Sequence, residues 1–172
     1  MIGEIRDEET AQIATRAAIT GHLVLSTIHT NDAAGVIIRL INMGIPKCLV
    51  ADALIGAISQ RLVRKLCPKC MRKKKINLAQ MQILNTDMNR YIYEAKGCPF
   101  CSNTGYVGRI GVFEILVLEK EIKELIMSNE FTSEKLNEIL KNKNQSLIDN
   151  MQRLVLEGQT TFNEFEELLE TI

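Results

Sequence analysis

His22-Leu23-Val24-Leu25-Ser26-Thr27-Ile28-His29-Thr30-Asn31-Asp32 is the stretch on which the fold turns. Its first half carries a continuous apolar run without polar alternation, which predicts a strand from His22 to Ile28 covered on both faces, as in a parallel sheet. Its second half becomes polar abruptly. Asn31 or Asp32 then opens a helix that carries Val36, Ile37, Leu40 and Ile41 and stops at Gly44. Upstream, Asp7 is placed to cap a helix whose first turn, Glu8-Glu9, suits the positive end of the helix dipole. That helix runs through Ala11, Ala14, Ala17 and Ala18 to Gly21. Downstream, Pro46 opens a third helix with Leu49, Val50, Ala53, Leu54 and Ile58, and Gln60 to Leu66 is a short strand candidate. Alternating strands and helices predict an α/β layered domain.

Four cysteines follow that strand. Cys67-Pro68-Lys69-Cys70 and Cys98-Pro99-Phe100-Cys101 are separated by 27 residues. Two residues between cysteines let both thiolates of a tight turn face one metal, and two such turns complete the tetrahedral shell that zinc favours in closed structural sites. Redox chemistry needs only one such pair, normally opening a helix after a strand, so zinc is the preferred reading. With four sulfurs the site has no open position for catalysis. Cys48 falls in an apolar helical stretch and reads as a small core residue.

Beyond Cys101, Gly105 to Phe113 reads as a glycine-broken strand or hairpin. Helical patterns then cover Glu119–Met127, Ser133–Leu140, Leu147–Leu156 and Phe162–Leu169, with Ser133 and Thr161 as caps and Gly158 as a stop. The expected layout is a core over 1–66, a tetracysteine module over 67–104, and a short strand plus helical subdomain over 105–172. The chain has 172 residues, 46% of them hydrophobic, 5% aromatic and none tryptophan, so aliphatic packing must form the core. No run approaches the ~20 apolar residues that cross a bilayer, and the first residues do not read as a signal peptide; a soluble cytoplasmic protein is expected. The formal net charge is zero, but from Arg64 to Lys75 seven of twelve residues are basic. The other 14 basic residues face 21 acidic ones, a net charge of −7. A short charge run is ordinarily a solvated loop, and less often a partner surface.

In open α/β sheets ligands bind outside the carboxyl ends of strands. Two polar clusters fall at such ends: Gly3-Glu4-Ile5-Arg6-Asp7 and Thr27-Ile28-His29-Thr30-Asn31-Asp32. A glutamate and a histidine on adjacent strand ends can orient a water and sense a phosphate. Taken alone, His29 is more simply a loop histidine bonded locally; the matching position of Glu4 favours function. His22 sits at the opposite, strand-entry end, where a structural role is expected. No Gly-x-x-x-x-Gly-Lys-Ser/Thr occurs, so the chain has no phosphate-cradling P-loop and should not hydrolyse a nucleotide alone.

Gly3-Glu4-Ile5-Arg6-Asp7-Glu8-Glu9-Thr10-Ala11 resembles the Walker B segment of the type II secretion and type IV pilus assembly ATPases. Residues Thr20 to Ala33 resemble their histidine box, with Ile28 where leucine is usual. Gln60-Arg61-Leu62, the two cysteine pairs and Gly105-Tyr106-Val107-Gly108-Arg109 follow in the family's order, and Gly158-Gln159-Thr160-Thr161 is the main later landmark. The resemblance implies the C-terminal half of a RecA-like P-loop NTPase core, then a tetracysteine zinc module and a small helical subdomain. It implies a homo-hexameric motor that hydrolyses ATP with Mg²⁺ and docks on inner-membrane platform proteins from the cytoplasm. Glu4 would be the Walker B acid, acting through the Mg²⁺ shell or on the attacking water, and His29 would report the γ-phosphate. Arg6 and Asp7, which would help fix the Walker B loop, and Thr27 would complete the nucleotide-binding residues. Cys67, Cys70, Cys98 and Cys101 would hold structural Zn²⁺, a module that retraction motors generally lack. Met1 falls inside the Walker B strand of the family, so a fragment, a truncated frame or a decayed product is expected, with apolar surface exposed beside His22–Ile28. The alternative from another class is a zinc-bearing binding module that contacts nucleic acid or an anionic surface through Arg64–Lys75. No aromatic residue interrupts that run to stack on bases, which counts against nucleic acid as a partner.

Overall fold

Asp7 accepts a hydrogen bond from the Thr10 N–H at 2.8 Å and starts α1 (Glu8–Ile19) as expected. That bond is the main reason the Asp7 carboxyl lies below its ordinary range. The computed structural model describes residues 1–142 and 146–171. These divide into two compact units, each built from two separated stretches. The first is Met1–Ser59 with Glu114–Ser146, and the second is Gln60–Phe113 with Leu147–Ile172.

In the first unit, α1 ends where the His22 N–H returns to the Ala17 carbonyl after Gly21. Asp32 caps α2 (Ala33–Asn42) by accepting from the Gly35 N–H, and the Ile45 N–H closes that helix on the Leu40 carbonyl. Pro46 precedes α3 (Lys47–Ala53), which stops five residues short of Ile58. Ile58 lies instead on β1 (Gly56–Leu66), and the long β4 (Tyr106–Val117) pairs with β1. Gly56 and Leu116 explain the early stop. A Cβ at Gly56 would stand 2.8 Å from the Leu116 carbonyl oxygen, so the backbone must go straight from α3 into strand pairing. Helices α5 (Lys120–Met127) and α6 (Ser133–Asn142) follow. Thr132, not Ser133, caps α6, through its hydroxyl to the Lys135 N–H. The core joins Ile37, Leu40, Val50, Leu116, Ile122, Ile126 and Leu136. Cys48 is exposed on α3 rather than in this core, because Val50 and Ala51 take the inward positions.

The expected strand His22–Ile28 is not a regular strand. Residues 22–30 are extended and run beside residues 2–5 in the same direction, with Ile2 N–H to Leu25 O and Ile5 N–H to Thr27 O, both 2.9 Å. Among the described residues the segment makes this backbone pairing on one edge only. Leu23 and Leu25 are 72% and 58% exposed, so neither is covered as a central strand residue would be.

In the second unit, β2 (Arg72–Lys75) pairs antiparallel with β3 (Tyr91–Glu94), Arg72 opposite Glu94 and Lys75 opposite Tyr91. Between them lies α4 (Leu78–Ile83), opened by a reciprocal Asn77–Gln80 capping box. The sequence pattern between the two cysteine pairs marks neither this hairpin nor this helix. The basic run is thus partly a strand, with Lys74 paired to Glu94 across the ladder. Helices α7 (Leu147–Leu156) and α8 (Phe162–Leu169) match their expected limits, and Thr161 caps α8. Val63, Ile76, Leu84, Ile92 and Val112 pack with Met151, Val155, Phe162 and Phe165 into the core of this unit. β1 is tied to the α7–α8 turn by the Leu66 N–H on the Gln159 carbonyl (2.9 Å) and the Thr160 hydroxyl on the Arg64 carbonyl (2.8 Å).

Candidate active site and metal centre

Ile5 and Ile28 each pack against the core of the first unit. Side chains alternate along extended backbone, so burying Ile5 and Ile28 turns their neighbours Glu4 and His29 the other way. The two meet: His29 Nε2 lies 2.8 Å from Glu4 Oε1. Arg6 holds the second oxygen, with Nε 2.6 Å and a terminal nitrogen 2.5 Å from Glu4 Oε2. The Arg6 hydrogen bond is the largest reason the Glu4 carboxyl lies below its usual range, partly opposed by desolvation and aided by the charges of Arg6 and His29. The Glu4 side chain is 19% exposed and that of His29 is 90% exposed, so the pair opens to solvent on the histidine side. Glu4 Oε1 is itself buried and accepts no well-aligned hydrogen bond among the described residues. The His29 ring is the group that covers it.

Thr27 donates its hydroxyl to the Gly3 carbonyl at 2.8 Å and so locks the two extended segments side by side. Asp7 is committed to capping α1 and does not reach Glu4. Of the nucleotide-site residues expected from sequence, the structure therefore gathers Glu4, Arg6 and His29 side by side. Thr27 is bonded to the backbone beneath them. His22 lies apart, its Nδ1 near the Thr20 hydroxyl (3.2 Å) and the Ala17 carbonyl (3.3 Å) at the end of α1.

The four cysteine sulfurs of the second unit all lie within 4.8 Å of one another. Cys67–Cys98 is 3.9 Å, Cys70–Cys101 is 3.8 Å and Cys98–Cys101 is 3.7 Å. A tetrahedral ion with metal–sulfur bonds of about 2.3 Å needs sulfurs about 3.8 Å apart, so this quartet fits zinc. No pair approaches the roughly 2.05 Å of a disulfide, and all five cysteines are free. Burial pushes the Cys70 thiol up to about 12. Burial also raises Cys101, but the Cys98 and Gly105 N–H groups on its sulfur, with the Cys98 and Cys70 thiols, bring it down to about 6. Gly105 is required here on two counts. Its φ is +81°, and a Cβ would stand 2.5 Å from that of Ala95. Its carbonyl also takes the Cys67 N–H at 2.9 Å.

Solved structures share this architecture. The pilus retraction motor PilT, determined with bound ADP, aligns at a TM-score of 0.65 and 25% identity over 96% of this chain and 38% of its own. The ATPase DotB of Legionella pneumophila aligns at 0.66 over 99% of this chain and 38% of its own; at 16% identity it speaks for the fold alone. The fold is therefore that of a part of a RecA-like ATPase. Residues 1–167 match the family model described as type II/IV secretion system protein, and the chain belongs to that family. Type II secretion system protein E of Pseudomonas aeruginosa is 42% identical over 166 residues, 95% of this chain and 33% of that protein. The type IV pilus assembly ATPase TfpB of Acinetobacter baylyi is 44% identical over 168 residues, 95% of this chain and 29% of its own length. The chain thus spans about a third of the length of these curated relatives. No helix among the described residues is long and apolar enough to cross a membrane.

Proposed function

We propose that this chain carries the acid and the phosphate-sensing histidine of a hexameric ATPase that powers type II secretion or type IV pilus assembly. The observation behind this reading is the 2.8 Å approach of His29 to Glu4, brought together from segments 25 residues apart. Residues 1–66 would be part of the RecA-like core, 67–104 a zinc module, and 105–172 a strand and helical subdomain. Mg²⁺ bound with ATP would supply charge neutralisation at the phosphates, and Glu4 would face it. A carboxyl held below its usual range by Arg6 is a poor proton acceptor and a good partner for a cation, which favours the Mg²⁺ shell over the general-base role. His29, largely exposed beside Glu4, would donate to the γ-phosphate, with Arg6 and Thr27 fixing the segments beneath. Since no P-loop is present in the sequence, the chain alone would not turn over ATP. Cys67, Cys70, Cys98 and Cys101 would hold one structural zinc. The homo-hexamer would work at the cytoplasmic side of the inner membrane on platform proteins of the machine, as an extension rather than a retraction motor. The test is ATP turnover after fusion to a P-loop-bearing N-terminal part from a relative. Glu4→Gln and His29→Ala should each lower kcat by about 10²-fold, the scale of losing one electrostatic contact at the reacting group; wild-type rates in both would remove the assignment.

One observation favours a second reading, an anion-binding zinc module. Lys73 Nζ lies 4.2 Å from the centre of the Tyr91 ring and Lys69 Nζ 3.9 Å from that of Phe100, both rings partly exposed. The fold thereby brings to the basic run the aromatic faces that its own sequence lacks. Single-stranded DNA titrated at low salt should then bind and be released steeply as salt rises. Absence of binding at low salt ends this reading.

A further inference from the structure

We infer that Glu114 is a positioning residue that anchors the His29 loop and so holds the imidazole against Glu4. The inference rests on the reading of Glu4 and His29 as one site. Glu114 is a carboxylate in the apolar run Val112 to Val117 of β4, and it is only 5% exposed. Its Oε1 accepts the Ala33 N–H at 2.8 Å, across 81 residues of sequence. Ala33 is the first residue of α2, four residues after His29.

The first N–H groups of a helix have no partner within the helix and must find one elsewhere. The first turn of α2 contains no acidic residue of its own. Asp32 serves the Gly35 N–H at 2.6 Å, and the remote Glu114 serves Ala33. Water cannot replace Glu114 in place, because Ala33 and Ala34 are fully buried. Losing the carboxylate would leave a buried donor unpaired, and the cheapest relief is for residues 29–33 to swing outward. The loop has little other slack. A Cβ at Gly35 would stand 2.9 Å from Asp32 Oδ1 and 3.3 Å from Thr30 Cβ, so the loop already lies flat on the helix. The Thr30 hydroxyl donates to the Asp32 carbonyl within it at 2.9 Å. A shift at Ala33 is therefore carried as a unit to His29, which has no burial of its own to hold it, its side chain being 90% exposed.

The chain has two histidines, so ring resonances read the effect directly. Long-range ¹⁵N spectra of the full chain would be compared for wild type, Glu4→Gln, Glu114→Ala and Glu114→Gln. Glu114→Ala should move the His29 signals most of the way to their Glu4→Gln positions. Glu114→Gln, which keeps a neutral acceptor of about half the strength, should move them partway. His22, bonded at the end of α1, should stay in both. Unmoved His29 signals, or His22 moving as far as His29, overturn the inference. Should Glu114→Ala fail to fold, Glu114→Gln is judged by the same two criteria. If Glu4→Gln itself leaves His29 unchanged, the Glu4–His29 pairing fails, a result separate from any failure of Glu114.

Discussion

Cys67→Ser should abolish stoichiometric zinc binding and collapse the folding of the second unit. Wild-type protein should contain about one zinc per chain, as a closed four-sulfur site requires. Apparent zinc-binding free energies for such sites are roughly 10–16 kcal/mol near neutral pH, and that binding energy is folding energy. Whole domains are stable by only about 5–15 kcal/mol. Losing one ligand can therefore cost as much as the unit has. Cys67 is the sharpest choice because it is fully buried and its N–H is bonded to Gly105, inside the quartet's own frame. Hydrogen exchange should show lost protection at Ile76, Ile92 and Val112 while Ile37, Leu40 and Leu116, in the other core, keep theirs. A metal-free protein with both cores protected would falsify the zinc assignment.

Arg64→Met should destabilise the second unit by about 3 kcal/mol, and Glu164→Gln by about 1 kcal/mol. The asymmetry follows from burial. The Glu164 side chain is 6% exposed and takes the Arg64 backbone N–H at 2.7 Å, Nε at 2.6 Å and a terminal nitrogen at 2.5 Å. Removing the guanidinium leaves that carboxylate buried without its counter-charge. Removing the carboxylate's charge leaves Arg64, 49% exposed, with water, the Glu167 carboxylate at 3.3 Å and the Tyr106 ring, whose centre is 4.5 Å away. The Tyr106 hydroxyl is in turn 3.0 Å from the Thr161 hydroxyl that caps α8, so the cluster clamps β1, β4 and α8 together. Denaturant unfolding of both single variants and the double variant checks this. The double variant should lose less than the singles added, and equal losses in the singles would contradict the burial argument.

The helices were legible wherever their periodicity was strong and their ends chemically marked. α7 and α8 fall on their expected limits, and Asp7, Asp32 and Thr161 cap as their residue types suggest. The meeting of Glu4 with His29 was legible as two polar clusters at the ends of extended runs. Tertiary pairing was not. Ile58 fits a helical stripe and a strand equally well, and the close approach of Gly56 to Leu116 decides it. The β2–β3 hairpin is not legible in the sequence because Arg72–Lys75 has no apolar alternation. Its ladder is held by pairing to Tyr91–Glu94, far along the chain. Cys48 looked like core because its neighbours are apolar, yet at helical spacing it faces outward. Glu114 left one signal, a lone carboxylate between Phe113 and Ile115 in the otherwise apolar run Val112 to Val117. Such a residue needs a donor, and sequence could not say that the donor is Ala33.

The division of each unit into two stretches bears on how the molecule is made. The cysteine-bearing stretch, 60–113, is synthesised before the helices that complete its core, α7 and α8. At about 5–20 residues per second, residue 169 follows residue 113 by roughly 3–11 s. During that interval Val63, Ile92 and Val112 lack the cover of Phe162 and Phe165. All four cysteines, by contrast, have already been synthesised. If the quartet takes zinc as proposed, metal capture would add to the β2–β3 pairing in holding the nascent segment together, and zinc shortage would then act on this chain during its synthesis as well as after folding.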